Sequence, residues 1–243
     1  MAQVQFDDFY GAQFLRYAKL LAGRGYVHNT LGNMAIRALA DGYPHGVAYT
    51  KHAEVSLEEM TSDNIVITDI PSSQIVYGNA VTSVGHNLSR KILELRSDVN
   101  AVIHVHDDHT IAFFASGAFE AVGTVSLDFP FIHGKPPYYL PADVDVEADA
   151  ARIESFIADT NCLVLLGHGV TTVGRNISEA YHRLNAFTSE VRRNILAEQL
   201  AAAKGTTVRY RTQAEINDMY RLAEQIIYPD RAEGLMHGDS AAD

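Results

Sequence analysis

The sequence predicts an α/β protein whose sheet is at least partly antiparallel, and two observations carry that expectation. Segments with apolar residues at helical spacing alternate with short β-favouring runs along the 243-residue chain. Within this alternation, residues 64–78 (NIVITDIPSSQIVYG) read as a strand, a turn at Pro71-Ser72-Ser73 and a returning strand, a hairpin. No repeat, low-complexity stretch or linker interrupts the pattern, so one domain over 1–243 is expected.

Taken in order, residues 7–24 place Phe14, Leu15, Ala18 and Leu21 on one helical stripe, with Asp7 and Asp8 at its start and Gly23 or Gly25 at its end. Asn29, Thr30, Gly32 and Asn33 then form a polar loop, either an ordinary turn or one whose amides hold an anion. A strand follows it. Gly46–Tyr49 reads as a short strand ending at Thr50-Lys51-His52, and Ser56–Met60 as one helical turn. After the hairpin, Ser83 or a neighbour opens a helix with Leu88, Ile92 and Leu95 on its stripe. A strand over 101–105 and a helix from Thr110 to about Ser116 come next. Residues 127–141, rich in proline and aromatics, suit a loop or short edge strands rather than a helix. A helix over about 145–160 precedes the apolar run 163–166 and its glycine turn. The longest helix begins at Ser178 and stops at Lys204-Gly205. The core thus spans about 7–205, a last helix about 213–227, and a polar, mobile tail is expected from Asp230.

Composition excludes several functions. A net charge of −11 disfavours nucleic acid and anionic membrane surfaces as partners. The single cysteine, Cys162, leaves no internal disulfide and no cysteine-rich zinc site. The start, MAQVQFDDFY, lacks the basic and apolar regions of a signal peptide, and no apolar run approaches the ~20 residues of a membrane span. A cytoplasmic location is the expectation.

The chemistry centres on Val99–His109 (VNAVIHVHDDH). Side chains alternate along a strand, so His104 and His106 share a face, with Cα atoms about 6.5–7 Å apart. Two such imidazoles can converge on one ion, each nitrogen at roughly 2.0–2.1 Å. His168, held between Gly167 and Gly169 after another strand, offers a third ligand. The plain alternative is that these are hydrogen-bonding histidines at strand ends.

Three stretches together resemble the class II aldolase/adducin family over roughly residues 7–205: Asn29–Arg37, Ala101–His106, and Leu165–Gly169 followed by Glu179-Ala180. The resemblance implies a three-layer α/β/α fold with a mixed, largely antiparallel central sheet. It also implies one divalent ion per chain on His104, His106 and His168, and a homotetramer with sites at subunit interfaces. The departures bear on function. The family's catalytic glutamate falls at or beside Gly85, where the nearest functional side chain is His86. Its phosphate loop is replaced by Thr50–Glu54, the serine of its first loop is Ala35, and of its phosphate-binding serines only Ser83 remains. A sugar-phosphate aldolase is therefore disfavoured.

What remains is a metal-dependent carbon–carbon lyase, with decarboxylation of a non-phosphorylated hydroxy-aromatic or keto carboxylic acid preferred. Loss of CO2 needs no base to remove a C–H proton, and the electrons released flow toward a stabilised enolate. In this scheme His86 is the proton donor. Asn29, Asn33, Lys51, His52 and Ser83 bind the carboxylate substrate, and the 129–139 loop supplies an aromatic wall. Manganese or zinc is favoured, with Fe(II) or magnesium as alternatives. Three neutral ligands also suit a non-haem Fe(II) oxygenase. An aldolase on a non-phosphorylated substrate and a non-catalytic adducin-like scaffold complete the alternatives. His109 is a candidate for orienting a ligand, and Arg209, Tyr210 or Arg211 for reaching a neighbouring subunit's site.

Overall fold

The computed structural model describes residues 4–79, 81–140, 144, 146 and 153–227. The expected start of the 145–160 helix and the tail from 230 lie outside these residues.

Eight strands form one sheet: β1 (Asn33–Ala40), β2 (Tyr43–Lys51), β3 (Ile65–Asp69), β4 (Ile75–Tyr77), β5 (Ala101–Val105), β6 (Tyr138–Leu140), β7 (Cys162–Leu165) and β8 (Gly169–Gly174). Their spatial order is β4-β3-β2-β1-β5-β8-β7-β6, antiparallel throughout except for the parallel β6–β7 edge. The fold is the expected three-layer α/β/α with a mixed, largely antiparallel sheet. Alternation along β5 feeds both layers: Ala101, Ile103 and Val105 enter one core and Val102 the other.

The larger core lies under α1 (Asp8–Gly23), α3 (Asp108–Ala115), α4 (Asp128–His133) and α6 (Ile177–Lys204). Phe14, Tyr17, Ala18 and Leu21 of α1 meet Tyr181, Leu184, Phe187 and Val191 of α6 there. Opposite, α2 (His86–Leu95) and the short α5 (Glu154–Ile157) bury Leu88, Ile92, Leu93 and Ile157 against Ala35, Ala48, Val102 and Val173. A last helix, α7 (Gln213–Ile226), carries a capping box between Thr212 and Glu215.

Arg37, the arginine of the first family-like stretch, has a structural task. Its guanidinium donates to the carbonyls of His45, Leu93, Arg96 and Val99, tying β1 to the turn that leads into β5.

Three sequence expectations need correction. Residues 128–133 form a helix despite Pro130, because proline in the first turn forfeits no intrahelical hydrogen bond. Ser56–Met60 is a turn, closed by Ser56 and Glu59 bonding each other's backbone amides. Within the expected 145–160 helix, the described α-helical residues are only Glu154–Ile157.

His133 does not reach a cleft. It is fully buried on α4 and donates through Nε2 to the Arg183 carbonyl at 2.9 Å. Burial pushes His133 and His86 each down to about 3, the neighbouring arginine adding to the effect. Both folded values lie below the ordinary 6.5, so the unfolded chain binds more protons between about pH 3 and 6.5. The stability they contribute is therefore complete above pH 6.5 and is lost as pH falls, by about 1.4 kcal/mol per pH unit for each histidine. We expect urea midpoints of metal-free protein to fall steadily from pH 6.5 to 4.5. H133Q, less stable at pH 7, should show a shallower slope over that range.

Candidate metal centre

His104 and His106 lie on and just beyond β5, the strand flanked by β1 and β8 at the middle of the sheet. The strand ends where Asp107, itself buried, caps α3 by accepting from the Thr110 amide (2.9 Å) and hydroxyl (2.7 Å). His168 arrives from the β7–β8 turn. Gly167 there adopts φ +74°, and a Cβ on Gly169 would lie 2.4 Å from the Val105 carbonyl oxygen. The Gly-His-Gly frame is thus what lets the turn press against β5.

The three imidazoles surround one point. Their ring centroids are 4.7–5.2 Å apart with steep interplanar angles of 75–85°, and one ligand nitrogen from each lies within 4.8 Å of the others. The His104 and His106 Nε2 atoms are 3.0 Å apart. Two nitrogens on one tetrahedral ion at about 2.0–2.1 Å are separated by roughly 3.3 Å, so the spacing fits a shared ion.

Electrostatics agree. Burial, then the neighbouring His106 and His168, hold His104 well below its ordinary value, and burial followed by His168 lowers His106 to about 4. Both are neutral at pH 7, with lone pairs free to coordinate. The Thr171 hydroxyl meets His104 Nδ1 at 2.9 Å, which leaves Nε2 for the cluster. The donor set fits a divalent metal ion, and no Asp, Glu or Cys joins the group among the described residues.

The remaining candidates divide. Asn33 is opposite His104 in the β1–β5 register, and its side-chain oxygen accepts from Ser89 at 2.8 Å. Exposed Asn29 closes an Asx turn by accepting from the Leu31 amide. His52, partly exposed, bridges to Thr82, and Ser83 precedes α2. Lys51 bonds the Thr30 carbonyl beside Asn29, and the His52–Thr82 bridge brings the segment leading to Ser83 against the end of β2.

Two assignments are corrected. His86 is 1% exposed and its Nε2 lies 2.8 Å from the Thr68 hydroxyl, so it is a neutral side chain sealed between α2 and the sheet. It cannot hand a proton to a substrate. Lys51 is also fully buried, its ammonium spent on main-chain carbonyls rather than on an incoming carboxylate. Thr171 and Ser89 were missed from sequence. Only the strand register and the seating of α2 show them touching His104 and Asn33.

Elemental analysis should find near one divalent ion per chain in the wild type and none in H106A. T171V should weaken metal binding by about 10–100-fold, whereas T171S should keep it, measured by competition with a chelating dye.

Comparison with known proteins finds one family and related folds. The "Class II Aldolase and Adducin N-terminal domain" family matches residues 12–192. An L-fuculose phosphate aldolase of Methanococcus maripaludis is 27% identical over 190 residues, covering 77% of this chain and 97% of the relative. In fold, an aldolase II superfamily protein from Pseudomonas syringae superimposes with a TM-score of 0.75 at 18% identity, covering 95% of this chain and 90% of its own. YgbL of Klebsiella pneumoniae, described as a candidate aldolase/epimerase/decarboxylase, gives 0.72 at 15% identity, covering 89% of this chain and all of its own. With three-quarters of its length matched and the histidine cluster assembled, the chain belongs to the class II aldolase and adducin family.

Proposed function

We propose that the protein is a divalent-metal-dependent carbon–carbon lyase, and within that class a decarboxylase of a non-phosphorylated hydroxy-aromatic or keto carboxylic acid. The observation that carries this is the convergence of three histidines, with burial keeping His104 and His106 neutral and no carboxylate joining the cluster among the described residues. A divalent ion held there supplies a Lewis acid for an oxygen next to the carboxylate that leaves. His104, His106 and His168 fix the position of that charge, and Thr171 orients His104. His104 is buried while His106 and His168 are half-buried, so substrate approaches from the side of the latter two.

An aldol cleavage requires a group to take the hydroxyl proton, and the position expected for it holds Gly85, followed by the sealed His86. Decarboxylation makes no such demand. The carbon–carboxylate bond breaks, its electrons stay on the substrate, and a proton from solvent at the half-exposed rim replaces CO2. Asn29 and His52 are the rim residues that remain to bind substrate oxygens, with Ser83 near the start of α2. Manganese or zinc, a homotetramer with sites at subunit interfaces, and a cytoplasmic setting complete this reading.

Retro-aldol cleavage is the second reading, favoured by the fuculose phosphate aldolase relative. One assay separates the two. Manganese- or zinc-loaded protein, incubated with a panel of hydroxy-aromatic and keto acids, should release CO2, and H106A should not. Aldehyde release without CO2 would replace decarboxylation with aldol cleavage. Oxygen consumption with Fe(II) would indicate an oxygenase, and no turnover by metal-loaded protein would leave a binding scaffold.

A further inference from the structure

The rim residues Asn29, His52 and Ser83 come from three stretches far apart in sequence. The side chain that joins two of them is Lys51, the last residue of β2. Its Nζ donates to the carbonyls of Thr30 (2.7 Å), Val55 (2.8 Å) and His52 (3.3 Å). Three ammonium protons thus meet three main-chain acceptors from two loops. Burial lowers the amine to about 8, and no neighbouring charge contributes, so it is still protonated at neutral pH. Burying a cation without a counter-ion is costly, and a methionine or leucine of similar volume would avoid that cost. The carbonyls explain its presence. A compact ammonium with three diverging donors suits three such acceptors better than a flat guanidinium would.

Both loops bear on the metal strand and its rim. Residues 29–32 end at Gly32, which has φ +78° and lies so close to β5 that a Cβ would sit 3.2 Å from the His104 carbonyl oxygen. Residues 52–55 bond onward to the stretch before α2, through the Ala53 amide to the Val81 carbonyl (2.9 Å) and the His52–Thr82 bridge. One buried cation therefore links the Asn29 loop, the His52 loop and, through the latter, the Ser83 segment.

We propose that Lys51 is a positioning residue. Its ammonium clamps residues 29–32 to 52–55 and so holds the substrate rim against the strand that carries His104, without touching substrate itself. This deepens the reading of the three histidines as a metal centre and rests on it.

The test compares wild type, K51M and K51Q, the last retaining two N–H donors. Amide exchange by mass spectrometry should rise at least tenfold in 28–32 and 52–55 of K51M, with β5 and β8 unchanged, and less in K51Q. Co(II) affinity of the histidine cluster should stay within threefold of wild type. Oxalate, a small dianion that chelates an open metal face, should bind cobalt-loaded K51M about tenfold more weakly, and K51Q should fall between the two. If K51M does not fold, K51Q carries the same comparison. Unchanged exchange in both loops would overturn the clamp. Weaker oxalate binding with unchanged exchange would overturn it too, making Lys51 a direct ligand. Failure of the wild type to bind cobalt would instead sink the metal centre, while the exchange data would still decide the clamp.

Discussion

Everything in this protein is arranged around a requirement of three converging imidazoles: rings crowded around one point need a shared electrophile on their lone pairs or a proton between them. The 3.0 Å approach of the His104 and His106 nitrogens expresses that need most directly. Such crowding is tolerable only on a rigid support, because small movements of any ring would break the convergence. β5 supplies it, bonded to β1 on one side and β8 on the other, with its apolar side chains divided between two cores.

The same demand explains the turn after β7. Reaching the cluster brings the backbone of residue 169 so close to the Val105 carbonyl that no side chain fits there. Residue 167 takes a positive φ to make the reversal. The two glycines are thus geometric conditions for a third ligand, and they connect local backbone conformation to metal chemistry.

Around this centre the loops are held by cationic side chains bonded to main-chain carbonyls. Arg37 satisfies carbonyls before β5, and Arg96, paired with Asp98, also donates to the carbonyls of Ile157 and Thr160 below α5. Lys51 does the same at the rim. Irregular backbone near a site exposes acceptors that no sheet or helix satisfies. A long cationic side chain reaches several of them at once, and it leaves the half-exposed face of the cluster open.

Much of this was legible in the linear order of residues. Period-two alternation placed both strand histidines on one side, the glycine frame marked His168, and the spacing of apolar residues located α1, α2 and α6, because these signals depend only on near neighbours. Pro130 misled, since the cost of proline depends on where a helix begins. The roles of His86 and Lys51 were misread for a deeper reason. A histidine or lysine beside a site has the same letters whether it faces solvent or is sealed beneath a helix, and only packing decides which. Thr171 belongs to the same category, because its bond to His104 follows from a register between strands 67 residues apart. The sequence by itself determined which residues are chemically able to hold an ion. The tertiary structure decided which of their neighbours face that ion and which hold the scaffold, because burial and cross-strand register are set by contacts between residues distant along the chain.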